Sequence, residues 1–82
     1  MSGWSKEAKV KILIKAFLTL NNRKCNSKEI SQWINMNNFG MNNTFVHPNM
    51  ITKLVKTAKT LNDTTLRDVN IEKEGNVYVM WV

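Results

Sequence analysis

The 82-residue, 9.5 kDa chain is the size of one small domain, with a single core and no room for a second catalytic lobe. Its 43% hydrophobic and 22% charged residues are ordinary for a folded domain and exclude wholesale disorder. Twelve Lys+Arg against six Asp+Glu give a net charge of +6 and a pI near 9.8, which favours polyanionic partners, nucleic acid first and an anionic membrane second.

The first element follows Ser5. Val10, Leu13, Ile14, Phe17 and Leu20 recur at about 100° per residue and predict a helix with one apolar face, with Lys11 and Lys15 on the far side. Asn21-Asn22 ends it, because Asn disfavours helix interiors and tolerates left-handed backbone. Trp4 precedes this helix: it staples the helix entry, packs in a dimer seam, or belongs to a flexible start at residues 1–4. Arg23-Lys24-Cys25 allows only a very short strand. In Asn26-Ser27-Lys28-Glu29 the Asn can cap a second helix while Glu29, at the third helical position, returns a bond. Ile30, Trp33 and Ile34 give that helix its apolar stripe, and Phe39-Gly40 is its expected stop. An Asn-rich connection, Met41 to His47, follows. His47, held extended by Pro48, acts as a cap or loop residue.

Pro48 suits the first position of a third helix, over 48–61, where its missing N–H does no harm. Ile51, Leu54, Val55, Ala58 and Leu61 form the buried stripe; Asn49, Thr52, Lys53, Lys56, Lys59 and Thr60 form the opposite face. Asn62-Asp63 marks the exit. Leu66 to Lys73 and Val77 to Val82 are β-prone runs around Glu74-Gly75-Asn76, a hairpin signature. In the last strand Val77, Val79 and Trp81 share one face, read as the core face. Tyr78 and Met80 share the other with Val82 and are candidates for a subunit interface. The chain is therefore an α+β domain over 1–82, in the order helix, short strand, helix, helix, strand, strand.

That order resembles the winged helix-turn-helix DNA-binding superfamily over nearly the whole chain, Ser5 to Val82. The residues that carry it are Asn26-Ser27-Lys28-Glu29-Ile30 opening the second helix, Phe39-Gly40 closing it, Pro48 to Leu61, and the hairpin Leu66 to Val82. The chain looks most like the small winged-helix proteins of phages, plasmids and archaeal genomes. The resemblance implies three helices plus a C-terminal β-hairpin wing, with the third helix docked in a DNA major groove. Two departures stand out. Met41 to His47 is longer than the tight turn usual in the superfamily, and some members with long turns dock DNA while others have become protein-interaction modules. Glu72 and Glu74 also flank Lys73 at the hairpin, where phosphate-contacting wings usually carry Lys or Arg.

The residues themselves point the same way. No acidic residue occurs between Glu29 and Asp63, and the third helix lies inside that gap. Solvated helix faces normally intersperse Glu with Lys, because such pairs add a few tenths of a kcal/mol; this helix forgoes them. Short amides and hydroxyls near a helix N-terminus read base edges, and Lys farther out meets phosphates. Asn49, Thr52, Lys53, Lys56, Lys59 and Thr60 supply both kinds. Lys28 and the backbone N–H groups opening the second helix are candidate phosphate contacts, with Arg23 and Lys24 just before them. Arg67 either contacts phosphate or pairs with Asp68 or Asp63. Lys11 and Lys15 join this field or keep the first helix hydrated.

Other chemistry is excluded or unsupported. Cys25 is the only cysteine and His47 the only histidine, so no intrachain disulfide, Cys-based zinc site or His-dependent triad arises from this chain alone. The acids pair only as Glu72 with Glu74 and Asp63 with Asp68, in exposed segments unsuited to acid–base catalysis. No catalytic residue, metal or cofactor is expected. The longest uncharged run, Ile30 to Thr52, is rich in Asn and does not read as a membrane span, and the lysines from Lys6 onward interrupt any signal peptide. The expectation is a cytoplasmic binder of double-stranded DNA, a small transcriptional regulator or replication accessory factor, as a homodimer. The alternative is a protein-interaction module on the same fold.

Overall fold

The computed structural model describes residues 6–37 and 45–82. Its elements are α1 (Lys6–Asn21), β1 (Cys25–Asn26), α2 (Ser27–Asn37), α3 (Pro48–Leu61), β2 (Asn70–Glu74) and β3 (Val77–Trp81). The three helices pack together and onto a three-stranded antiparallel sheet of order β1-β3-β2. The result is a small α+β domain. No helix among the described residues is long and apolar enough to cross a membrane. Trp4, Phe39 and Gly40 lie outside the described residues.

Local chemistry sets the element ends. Asn22 adopts φ 50° and donates its N–H to the Leu18 carbonyl at 3.0 Å, closing α1. At the start of α2, Asn26 Oδ1 accepts from the Glu29 N–H at 2.8 Å, and Glu29 Oε1 accepts from the Asn26 N–H at 3.2 Å. This reciprocal cap satisfies two otherwise orphaned donors. His47 is the N-cap of α3, its Nδ1 accepting from the Asn49 N–H at 3.0 Å, with Pro48 in the first turn. Asn62, at φ 55°, ends α3. Gly75 takes φ 63° while Asn76 stays at negative φ, the sign pattern of a type II′ hairpin turn.

The core joins Val10, Ile14, Phe17 and Leu18 of α1 to Ile30 and Ile34 of α2, Ile51, Leu54, Val55 and Ala58 of α3, and Cys25 and Met80 of the sheet. Each large side chain fully withdrawn from water contributes roughly 1.5–3 kcal/mol. Leu20 and Leu61, expected on the buried stripes, are 76% and 71% exposed. Both stand at helix ends that overrun the core, so the correct period continues past its partner. Leu18 takes the buried place instead, and Leu13 packs only partly against the core.

Two further expectations are corrected. The segment from Leu66 to Val69 is a run of turns, and β2 starts only at Asn70. Asp63 organises those turns, its Oδ1 accepting from the Thr65 N–H at 2.8 Å and its carbonyl from the Arg67 N–H at 2.9 Å. Leu66 and Val69 are nevertheless fully buried. In β3 the faces are reversed. Met80 pairs across to Ile71 and Cys25 and is fully buried, so the Tyr78–Met80 face lies on the helices and Met80 offers no subunit interface. Val77, Val79 and Trp81 form the other face, where Val79 is nevertheless buried and Val77 and Trp81 are half-buried. Both faces alternate equally apolar residues, so period two cannot choose between them; pairing register does.

The end of the α2–α3 connection is fixed by side chains of α2. Asn35 matches the backbone of Val46 as a strand would, its Nδ2 donating to the Val46 carbonyl at 3.0 Å and its Oδ1 accepting from the Val46 N–H at 2.8 Å. Buried Ser31 donates from Oγ to the same carbonyl at 2.5 Å. Val46 is fully buried between them and α3, so the connection enters α3 at a defined angle.

Candidate nucleic-acid interface

On a helix turning about 100° per residue, Asn49, Lys53, Lys56 and Thr60 fall within a strip about 60° wide. In the structure all four are exposed on the side of α3 opposite its core residues. Thr52 and Lys59 flank this ridge on one side. Thr52 is half-buried, its hydroxyl 3.4 Å from the Pro48 carbonyl, and Lys59 donates to the Arg67 carbonyl at 3.5 Å. The six α3 residues named from sequence therefore divide into an outward ridge of four and a flank of two, of which Lys59 reaches the turns before β2.

The hairpin contributes residues the sequence did not point to. Lys56 Nζ donates to the Tyr78 hydroxyl at 2.7 Å and lies 4.0 Å from the ring centroid. Lys73, opposite Tyr78 in the ladder, has its Nζ 5.9 Å from the same ring. Two ammonium groups thus meet one phenol, and the hydrogen bond from Lys56 holds the Tyr78 phenol below its usual range. Lys73 and Tyr78 belong to the patch because they occupy the inner face of the hairpin. Glu72 and Glu74 occupy its outer face, opposite Val79 and Val77. Alternation along the strand separates the opposite charges that adjacency in sequence had mixed.

The remaining cations fall into two groups. Lys11 pairs with Asp63 at 2.6 Å and Lys15 with Asp68 at 3.7 Å, fastening the α3–β2 turns to α1. Arg23 pairs with Glu29 at 2.7 Å. The Arg23 hydrogen bond holds the Glu29 carboxyl below its usual range, and Lys11 does the same for Asp63. Lys24 reaches Glu72 and Glu74 at 3.6 Å each and stands 4.6 Å above the Trp81 ring, on the outer face of the sheet. Arg23 and Lys24 are thus not gathered with α3. Among the described residues, Lys28, Lys53, Lys56, Lys59, Arg67 and Lys73 make no ion pair. Lys28 is exposed on the first turn of α2, whose N-terminus already holds the Glu29 carboxylate. Arg67 pairs with neither Asp63 nor Asp68.

Among the described residues no group of three His, Cys, Asp or Glu side chains is placed to hold a metal ion. Cys25 is fully buried, and burial pushes its thiol up, away from the reactive thiolate. Comparison of the chain with family models, with curated proteins and with solved structures finds no match.

Proposed function

We propose that this chain is a winged helix-turn-helix protein that binds double-stranded DNA, with α3 in the major groove and the inner face of the β2–β3 hairpin against an adjacent phosphate strand. One observation carries the proposal: Lys53, Lys56, Lys59 and Lys73 gather on one surface without a carboxylate partner, while Lys11, Lys15, Arg23 and Lys24 elsewhere are paired with carboxylates. Unpaired like charges repel and raise the free energy of the fold, so such a surface suits a polyanion that releases counterions on binding. Asn49 and Thr60 on the ridge supply groups able to address base edges. A homodimer on a two-fold site would double these contacts.

The test is binding to an AT-rich duplex by fluorescence polarisation at several salt concentrations, against Lys53→Glu/Lys56→Glu. Steep weakening with salt, with loss of binding in a double variant that retains its circular dichroism, supports the proposal. Absence of wild-type binding at about 50 mM salt, where even non-specific contacts register, rejects it. A second function, a protein-interaction module on the same fold, draws support from the long α2–α3 connection and from Phe45, 63% exposed at its end. A duplex-binding failure would leave that alternative standing.

A further inference from the structure

A groove of about 470 Å³ lies between α1 and α3, within the size range of small-molecule sites. Its floor is apolar, made by Met50, Leu54 and Ala58, with the exposed Leu61 at its edge. At its edge the Lys11–Asp63 ion pair is internally balanced. The rim carries two other charges on opposite walls, Glu7 from α1 and Lys53 from α3, and neither makes an ion pair among the described residues. A carboxylate ligand would meet Lys53 but be repelled by Glu7, and an amine would meet the reverse. A ligand bearing both charges beside an apolar body complements all three features.

We infer that this groove binds a small zwitterion with an apolar side chain, of the amino-acid class: its ammonium toward Glu7, its carboxylate toward Lys53, its side chain on Leu54 and Leu61. Asn49 and Lys53 line the groove and also stand on the α3 ridge. Occupancy is therefore linked to DNA affinity, a consequence that rests on the DNA-binding proposal. With Lys53 engaged by the ligand, the salt dependence of DNA binding falls by the contribution of one phosphate contact, about 0.9 in the logarithmic slope.

The experiment is calorimetric titration of the DNA-free protein with L-leucine, L-phenylalanine and L-tryptophan. The single-charge probes 3-phenylpropionate and phenethylamine are titrated alongside. Saturable binding of at least one amino acid is expected, with the single-charge probes about tenfold weaker or worse, the penalty for leaving one rim charge desolvated and unpaired. Thr57→Phe, which fills the groove from an exposed position on α3, abolishes binding while circular dichroism is retained. Glu7→Gln narrows the gap between the amino acid and its acid-only analogue. Failure of all three amino acids, equal affinity for the single-charge probes, or undiminished binding by folded Thr57→Phe overturns the inference. Because these titrations contain no DNA, their failure rejects the groove alone, and a failure of duplex binding rejects the DNA proposal alone.

Discussion

The two sides of the β2–β3 hairpin use the same residue types to opposite ends. On the outer side Lys24 lies between Glu72 and Glu74 and over Trp81, a local arrangement that leaves little charge to offer. On the inner side Lys73 and Lys56 crowd Tyr78 with no carboxylate in reach. Paired exposed charges contribute about 0–1 kcal/mol to folding and little to long-range attraction. Unpaired like charges oppose folding by their mutual repulsion and supply most of the field that an approaching polyanion meets. The number of lysines is therefore a poor guide to a binding face; the placement of the acids decides it.

The largest way to break this contrast is charge reversal. Lys53→Glu/Lys56→Glu is expected to weaken duplex binding on the order of a hundredfold at low salt, read by fluorescence polarisation, with the thermal midpoint nearly unchanged. Next comes the support beneath α3. Asn35→Leu leaves the Val46 N–H without its partner in a buried setting and is expected to cost about 2 kcal/mol of stability in urea titrations. DNA affinity measured below the unfolding transition should fall with it, since α3 loses its fixed entry. A wild-type urea midpoint would show the clamp to be incidental.

Smaller effects sharpen the comparison between the faces. Lys73→Ala should reduce the logarithmic salt slope of DNA binding by about 0.9, whereas Lys24→Ala should leave it unchanged. Equal slopes for the two variants would erase the distinction between inner and outer face. The paired side should reveal itself by pH instead. The Asp63 and Glu29 carboxyls are lowered in the folded state, by Lys11 and Arg23 respectively. Their stabilisation is therefore present above the unfolded carboxylate range, near 4, and is lost as pH falls through their lower folded-state values. In Lys11→Met and Arg23→Met that acid-side loss should shrink, measured by thermal midpoints between about pH 5 and pH 2.

Much of the fold was legible in the chain. The reciprocal cap of Asn26 and Glu29, the Pro48 start of α3, the left-handed Asn exits and the hairpin turn at Gly75 are local: neighbours within a few residues supply both partners of each bond. So is the acid-free ridge of α3, because helical period alone brings Asn49, Lys53, Lys56 and Thr60 into line. The misjudged positions have a common cause. Leu20 and Leu61 obey the helical period but run past the core, and Leu66 and Val69, expected in a strand, are buried from the turns that precede β2. Period and propensity report what a segment can bury, and say nothing of what stands opposite it.

Sequence by itself determined the elements, their order, their caps and which face of α3 carries the cations, since each depends on spacing along one segment. Only the tertiary structure decided which face of β3 enters the core, which lysines are neutralised, and that Lys73 and Tyr78 join α3 while Arg23 and Lys24 do not. Those outcomes hinge on strand register and on pairs such as Lys11 with Asp63 and Lys56 with Tyr78, whose partners are distant in sequence. A one-residue shift in register exchanges the faces of a strand, and with them the sign of the surface that the hairpin turns toward α3.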